Sequence, residues 1–459
     1  MGRLRETWDA FWEPEMKDER RAARRVWDGL PHELRVEDQV LGRHSAGCAA
    51  TYGVMEACDF YCTACYLSDE ANHTPPLPFE EIKEQLDLMR KYLGPYGNAQ
   101  ITAGEVTLLP EDDLIRIIRY ARDIKLSPML MTNGQNILKN PRYLERLVKE
   151  ADLDKIAIHI DTTEKGRLGL KNSDTEKDIH WIRDAFANLL RQTRRKTKKT
   201  LHASQTFTVT EKNFYDIPDV LEWSLDNVDA FRMISFQPTA EVGRTRDKEQ
   251  IGKNPQIWDV ICEGLGQKIN KHPLKFGHPD CNTVAMMFVI SWIDEHGDQQ
   301  RRLMEVTRDN EYDRKFFFKL LCEGFAGFSP DGEPGEILLS RILGRLRKHP
   351  SLAWEIPAFC ANRALQERQW IPSFLSAFGR GRFWQIKPFV IVIHNFMSEH
   401  ELQTETGRQR LQACAFRIPI DGQMISMCEV NGKMRTDLNL RDQERLIELG
   451  KKRAIENAG

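Results

Sequence analysis

Cys58, Cys62 and Cys65 fall within one short stretch, CDFYCTAC, with three residues between the first pair and two between the second. Cysteine thiolate is the usual ligand of iron–sulfur clusters, so three thiolates on one loop can hold three irons of a [4Fe–4S] cluster. The loop supplies no fourth ligand. One iron then stays open to a small molecule, by the logic that keeps a position free in catalytic metal sites. Two other fates compete. Free cysteine is among the most buried residue types, but three within eight residues is dense for structural thiols. Cys62 and Cys65 also form a CxxC pair, yet a zinc ribbon needs a second such pair and the chain has none.

The thiols need elements that place them. From about residue 44 to 245, strand-like and helix-like segments alternate six times. Thr51–Met55 reads as the strand feeding the cysteine loop. Phe79–Leu93 follows, with Ile82, Leu86, Met89 and Leu93 at helical spacing. Asn98–Thr102, Pro128–Thr132, Lys155–Ile160, Ala203–Val209 and Phe231–Phe236 read as further strands. Glu111–Ile124, Pro141–Glu150, Thr175–Gln192 and Ile217–Leu225 read as helices between them. Such alternation predicts a parallel sheet with helices outside, and in barrels of this kind chemistry sits at the C-terminal strand ends.

Polar residues gather at those ends. Thr102-Ala103-Gly104-Glu105 closes the second strand, and Thr132-Asn133-Gly134 the third. His159 and Asp161 on the fourth share a face, because strand residues alternate in direction. Turned inward they line an active site; a structural hydrogen bond is the alternative. Gln237 ends the sixth strand, and Arg244 in the next loop offers a planar fork for a substrate carboxylate or phosphate; a surface ion pair is the equal alternative for Arg244.

Composition bounds the rest. The chain has 459 residues, 41% hydrophobic and 29% charged, with net charge −2, which implies no polyelectrolyte partner. Ten irregularly spaced cysteines in a chain this long point to metal chemistry in a reducing compartment. Residues 1–43 read as a charged helical extension whose Trp8, Phe11 and Trp12 dock on the body. Its charge argues against a secretory leader, and no apolar run is long enough to span a membrane. Residues 246–459 read as an α+β domain, with Val284–Trp292 and Pro388–Ile393 as buried strands. Asp421-Gly422 is a hairpin signal that brings Cys414 and Cys428 together. With Cys281 and one more ligand they can hold a second [4Fe–4S] cluster; dispersed core cysteines are the alternative. The basic run Arg191–Lys199 is a solvated face or a peripheral membrane contact. It lacks the interleaved aromatics that nucleic-acid stacking requires.

The cysteine spacing, the alternation and the strand-end residues together resemble the radical SAM superfamily. The resemblance implies a partial (β/α)6 TIM-type barrel as the radical SAM core, at 44–245, with the α+β domain after it. It implies that S-adenosylmethionine (SAM) chelates the open iron, and that an electron cleaves it to methionine and a 5′-deoxyadenosyl radical. That radical abstracts hydrogen from an unactivated carbon. Gly104 and Glu105 resemble the superfamily's Gly-Gly-Glu segment, with Ala103 replacing the first glycine, and would hold the SAM ammonium. Asn133 would meet its ribose or carboxylate, with His159, Asp161 and Gln237 completing the cofactor site. The residue before the third cysteine, usually aromatic, is Ala64 here.

FQPTAEVGR, HPDC, HNFM and CAFRIPIDGQMISMC are similar to a narrower group, the archaeal tetraether-lipid synthases and related enzymes once proposed to methylate pterins. This implies the second cluster at Cys281, Cys414 and Cys428, and C–C bond formation or methylation on a lipid-like substrate. The chain departs from the synthases in carrying no cysteine before Cys48. A cytoplasmic enzyme, membrane-associated if the basic run docks, with a ferredoxin or flavodoxin as electron donor, is the expectation. A peptide- or pterin-modifying radical SAM enzyme and an iron–sulfur electron-transfer protein without SAM chemistry are the alternatives.

Overall fold

Strands and helices alternate through the first half as the periodicity predicts. The computed structural model describes residues 2–246, 254–294, 296–326, 328, 334–366 and 384–458. The strands are β1 Cys48–Ala50, β2 Asn98–Ile101, β3 Ser127–Thr132, β4 Lys155–His159, β5 His202–Val209 and β6 Phe231–Pro238. They are followed by β7 Asn282–Ile293, β8 Gln299–Glu305, β9 Trp384–His394, β10 Phe416–Ile420 and β11 Gln423–Ser426. All lie in one sheet of order β11-β10-β1-β2-β3-β4-β5-β6-β9-β7-β8. β1 to β6 pair in parallel, in sequence order. This is the parallel strand–helix arrangement that the alternation predicts. Later strands join both edges: β10 lies parallel to β1, and β9 parallel to β6.

Two-residue alternation sorts each strand's side chains. Leu130, Ile156, Ile158 and Phe207 are fully buried beneath the helices. Their neighbours Met131, Ala157, His159, Thr206 and Thr208 line a cavity. The helix Phe79–Leu93 buries Ile82, Leu86, Met89 and Leu93, the apolar positions its spacing marks. Each such side chain contributes about 1.5–3 kcal/mol on burial. The helix stops at Gly94, whose φ of 84° suits a residue without a Cβ.

Several expectations are corrected. Thr51–Met55 is not a strand: β1 ends at Ala50. Gly53 adopts a φ of 71° and donates its N–H to Glu56, which turns the chain out of the sheet. The helix expected from Thr175 begins at His180. The Asp178 carboxylate accepts from both the backbone and hydroxyl of Thr175, a local bond that competes with helix. On the helix Gly2–Trp12 the buried side chain is Ala10, while Trp8 and Trp12 are exposed. A Cβ on Gly344 would lie 2.4 Å from the Phe11 carbonyl, so glycine there lets the helix Gly335–Lys348 approach this backbone closely.

The basic run largely serves the fold. Arg191 pairs with Asp229, Lys196 with Glu145 and Lys199 with Asp152, and Arg194 donates to three carbonyls. No described helix is long and apolar enough to cross a membrane.

Candidate active site

The cysteine loop is pinned from several directions. Glu56 accepts hydrogen bonds from Gly53 N (2.9 Å), Arg435 Nη1 (2.7 Å) and Asn439 Nδ2 (3.4 Å). Cys58 N donates to Asn72 Oδ1 (3.1 Å), and Cys65 N to Thr245 Oγ1 (3.0 Å). Tyr61 N and Thr63 N donate to the carbonyls of Lys165 and Thr163, in the loop after β4. The result places Cys58, Cys62 and Cys65 in the wall of the cavity.

Burial pushes Cys58 up to about 12, and the Glu105 and Cys65 charges add to it. Burial likewise pushes the Cys62 thiol up, with Glu164, Cys65 and Cys58 adding. Thiols that repel each other's ionisation in one cavity wall suit a cationic centre, since a coordinated thiol gives up its proton. Among the described residues no three His, Cys, Asp or Glu side chains are gathered tightly enough for one metal ion. Three cysteine thiols on one loop that line one cavity are the donor type an iron–sulfur cluster would take.

Gly104, Glu105, Asn133, His159 and Gln237 line the same cavity. Gly104 has a steric role as well. A Cβ there would lie 2.3, 2.4 and 2.5 Å from the Glu56, Ala57 and Met55 carbonyls, all backbone of the cysteine loop. Gly104→Ala is accordingly expected to cost about 1–3 kcal/mol of stability and to lower iron retention, as overpacking does. Urea unfolding and iron analysis check this; unchanged values for both would contradict the close approach.

Glu105 is fully buried and its carboxylate accepts from Thr107 N (3.0 Å), Thr107 Oγ1, Thr132 Oγ1 (2.6 Å) and Asn133 N (2.6 Å). It braces the ends of β2 and β3. The Asn133 amide is oriented in turn: Nδ2 donates to Asp59 Oδ1 (2.8 Å) and Oδ1 accepts from Gln135 N (2.9 Å). His159 Nε2 lies 2.6 Å from Asp161 Oδ2 and 3.1 Å from Thr208 Oγ1. Burial alone would lower His159, but the Asp161 and Glu164 carboxylates push it up to about 9. Asp161, expected to line the active site, is instead fully buried behind the imidazole and also accepts from Thr163 N and Thr208 N. The structural hydrogen bond is its role here. Among the described residues Gln237 Nε2 donates to Ser235 Oγ (3.4 Å).

The C-terminal cysteines converge. Cys281 precedes β7, Cys414 precedes β10, and Cys428 follows β11 across the Asp421-Gly422 turn. Burial pushes Cys428 up to about 12, with Cys414 and then Cys281 adding to it. Arg410 Nε donates to Cys281 Sγ (3.5 Å) and Nη2 to the Asn395 carbonyl (2.6 Å). Cys428 lines the same cavity as the loop cysteines, beside Phe396, Met397, Phe416 and Met427.

Sequence reasoning missed three features. Arg244 was expected to meet substrate, but its Nε donates to Cys65 Sγ (3.4 Å) and its Nη2 to the Phe60 carbonyl (3.0 Å). Arg167, 5% exposed, donates to Glu164 and to the carbonyls of Asn133 and His159. Arg435 holds the loop through Glu56. Nothing in the sequence marks these pairings.

Residues 52–203 match the family model described as Radical SAM superfamily. A curated relative, the 7,8-dihydro-6-hydroxymethylpterin dimethyltransferase of Methanocaldococcus jannaschii, is 29% identical over 218 residues, covering 46% of this chain. The chain spans 40% of that relative's length. Among solved structures, SuiB of Streptococcus suis bound to S-adenosylmethionine has a TM-score of 0.34 at 14% identity, covering 46% of this chain and 45% of that one. Methylornithine synthase has 0.33 at 15%, covering 57% and 72%. Residues 52–203, from β1's outgoing loop to the start of β5, thus carry a domain similar to the radical SAM superfamily, with its cysteine loop leaving the first strand of a parallel sheet.

Proposed function

We propose that this enzyme cleaves SAM reductively at a [4Fe–4S] cluster held by Cys58, Cys62 and Cys65. It then abstracts hydrogen from an unactivated carbon of a small molecule with an apolar body. The observation that carries this reading is that three thiols of one loop share a cavity wall with the strand-end residues Gly104, Asn133, His159 and Gln237. The bound cluster supplies the electron, taken from a ferredoxin- or flavodoxin-type donor, and SAM supplies the carbon radical.

The chain's own residues bind, orient and exclude water. Gly104 presents a backbone edge to the SAM ammonium. Asn133 is oriented by Asp59 and Gln135 to meet its ribose or carboxylate. His159 and Gln237 line the remainder of the cofactor pocket. Phe396, Met397, Phe416 and Met427 form an apolar end of the cavity, which supports a substrate with a lipid-like portion and a methylation or C–C coupling outcome. A second reading, methylation of a pterin-like ring, is favoured by the likeness to the Methanocaldococcus jannaschii pterin dimethyltransferase.

Cys281, Cys414 and Cys428 are proposed as ligands of a second [4Fe–4S] cluster. Their mutual electrostatic influence across three chain segments supports this. Two measurements test the whole reading. Adding SAM to the dithionite-reduced protein is expected to change its EPR spectrum; an unchanged spectrum would favour an electron-transfer protein. The variant lacking Cys58, Cys62 and Cys65 is expected to keep about four irons, and a count near zero removes the second cluster.

A further inference from the structure

We propose that Arg244 is a positioning residue that sets the reduction potential of the cluster at Cys58, Cys62 and Cys65. The inference rests on the ligand assignment above and concerns a residue that the assignment does not use.

The loop after β6 lies along the cysteine loop like a strap. Gly243 has a φ of 55°, and a Cβ there would lie 2.4 Å from the Tyr66 carbonyl and 2.5 Å from that of Leu67, so glycine is required. Arg244 N donates to the Leu67 carbonyl (2.8 Å), and Arg246 N to that of Thr63 (2.8 Å). Thr245 Oγ1 accepts from Cys65 N (3.0 Å) and donates to its carbonyl (3.2 Å). Fixed on both sides, Arg244 has its guanidinium anchored on the Phe60 carbonyl (3.0 Å), with Nε on Cys65 Sγ (3.4 Å). The guanidinium also stands 5.6 Å from the centre of the Tyr61 ring.

Among the described residues no carboxylate lies within ion-pair distance of Arg244. The polar partners of its guanidinium are Cys65 Sγ and the Phe60 carbonyl. Arginine stays protonated at every working pH. A fixed cation and an N–H donor at a ligand sulfur both favour the more negative state of a cluster. Both effects therefore ease the electron's arrival.

The test is an EPR-monitored redox titration of anaerobically reconstituted full-length protein with dithionite, following the signal that responds to SAM. Arg244→Met is expected to lower the reduced-to-oxidised ratio at fixed poise about tenfold, some 59 mV for a one-electron couple. Arg244→Gln keeps a donor without the charge and should fall in between, whereas Arg244→Lys should recover most of the shift. Iron analysis of each variant separates tuning from assembly. A full iron complement with an unshifted potential in both the Met and Gln variants overturns the inference. So does loss of iron from the Gln and Lys variants, which would make Arg244 an assembly residue. Wild-type protein that shows no SAM-responsive EPR signal instead defeats the ligand assignment itself, and the wild-type spectrum with and without SAM tells the two failures apart.

Discussion

Cys62→Ala will lose the SAM-dependent EPR response and all detectable SAM cleavage, with a fall of about four irons per chain. Cys62 is the middle thiol of the loop and its neighbours cannot replace it. The loop around it is held by Tyr61 N and Thr63 N on the carbonyls of Lys165 and Thr163, and these bonds use no side chain of residue 62. The variant should therefore keep its fold, with urea unfolding of the apo-protein within about 1 kcal/mol of wild type, because truncating a half-buried side chain removes little apolar area. Lost chemistry with a retained fold separates a ligand from a core cysteine. A variant that kept its iron and its activity would remove Cys62 from the ligand set.

Arg435→Met is expected to destabilise the protein by about 3–5 kcal/mol, the usual consequence of stranding one member of a buried ion pair. Arg435 is 2% exposed and Glu56 is 0% exposed, with Nη1 2.7 Å from Oε2. Removing the guanidinium leaves the Glu56 carboxylate with Gly53 N and the long Asn439 contact. Glu56 starts the cysteine loop, so iron retention should fall with stability. Adding Glu56→Gln to Arg435→Met removes the stranded charge and should recover more than half of the loss. Urea titration of both variants and wild type checks this. A double variant no more stable than the single one would show that packing, and not charge, dominates at this junction.

Much of the core was legible because its signals are local. The helix Phe79–Leu93 is marked by four apolar positions at helical spacing, and all four are buried. The Asp421-Gly422 hairpin follows from two residues, with φ values of 46° and 75° that such a turn demands. The grouping of Gly104, Glu105, Asn133, His159 and Gln237 followed from one rule, that strand ends converge in a barrel. What escaped was long-range or decided by competition. Glu56 and Arg435 meet across most of the chain, and no periodicity records such a pair. The edge positions of β9 and β10 depend on tertiary pairing. Asp161 shares His159's direction along the strand, but the chain leaves the strand at His159, and Thr163 N and Thr208 N draw the carboxylate behind the ring. Arg244 could be seen as a cation in a loop, but Gly243's fit against the Tyr66 and Leu67 carbonyls determines where it points.

The most direct measurement is a stoichiometric one. Anaerobically reconstituted wild-type protein, dithionite and SAM should release 5′-deoxyadenosine and methionine in equal amounts, at a rate that Cys58→Ala, Cys62→Ala and Cys65→Ala each reduce to background. Release of neither product from protein shown to carry a full complement of iron would contradict the account.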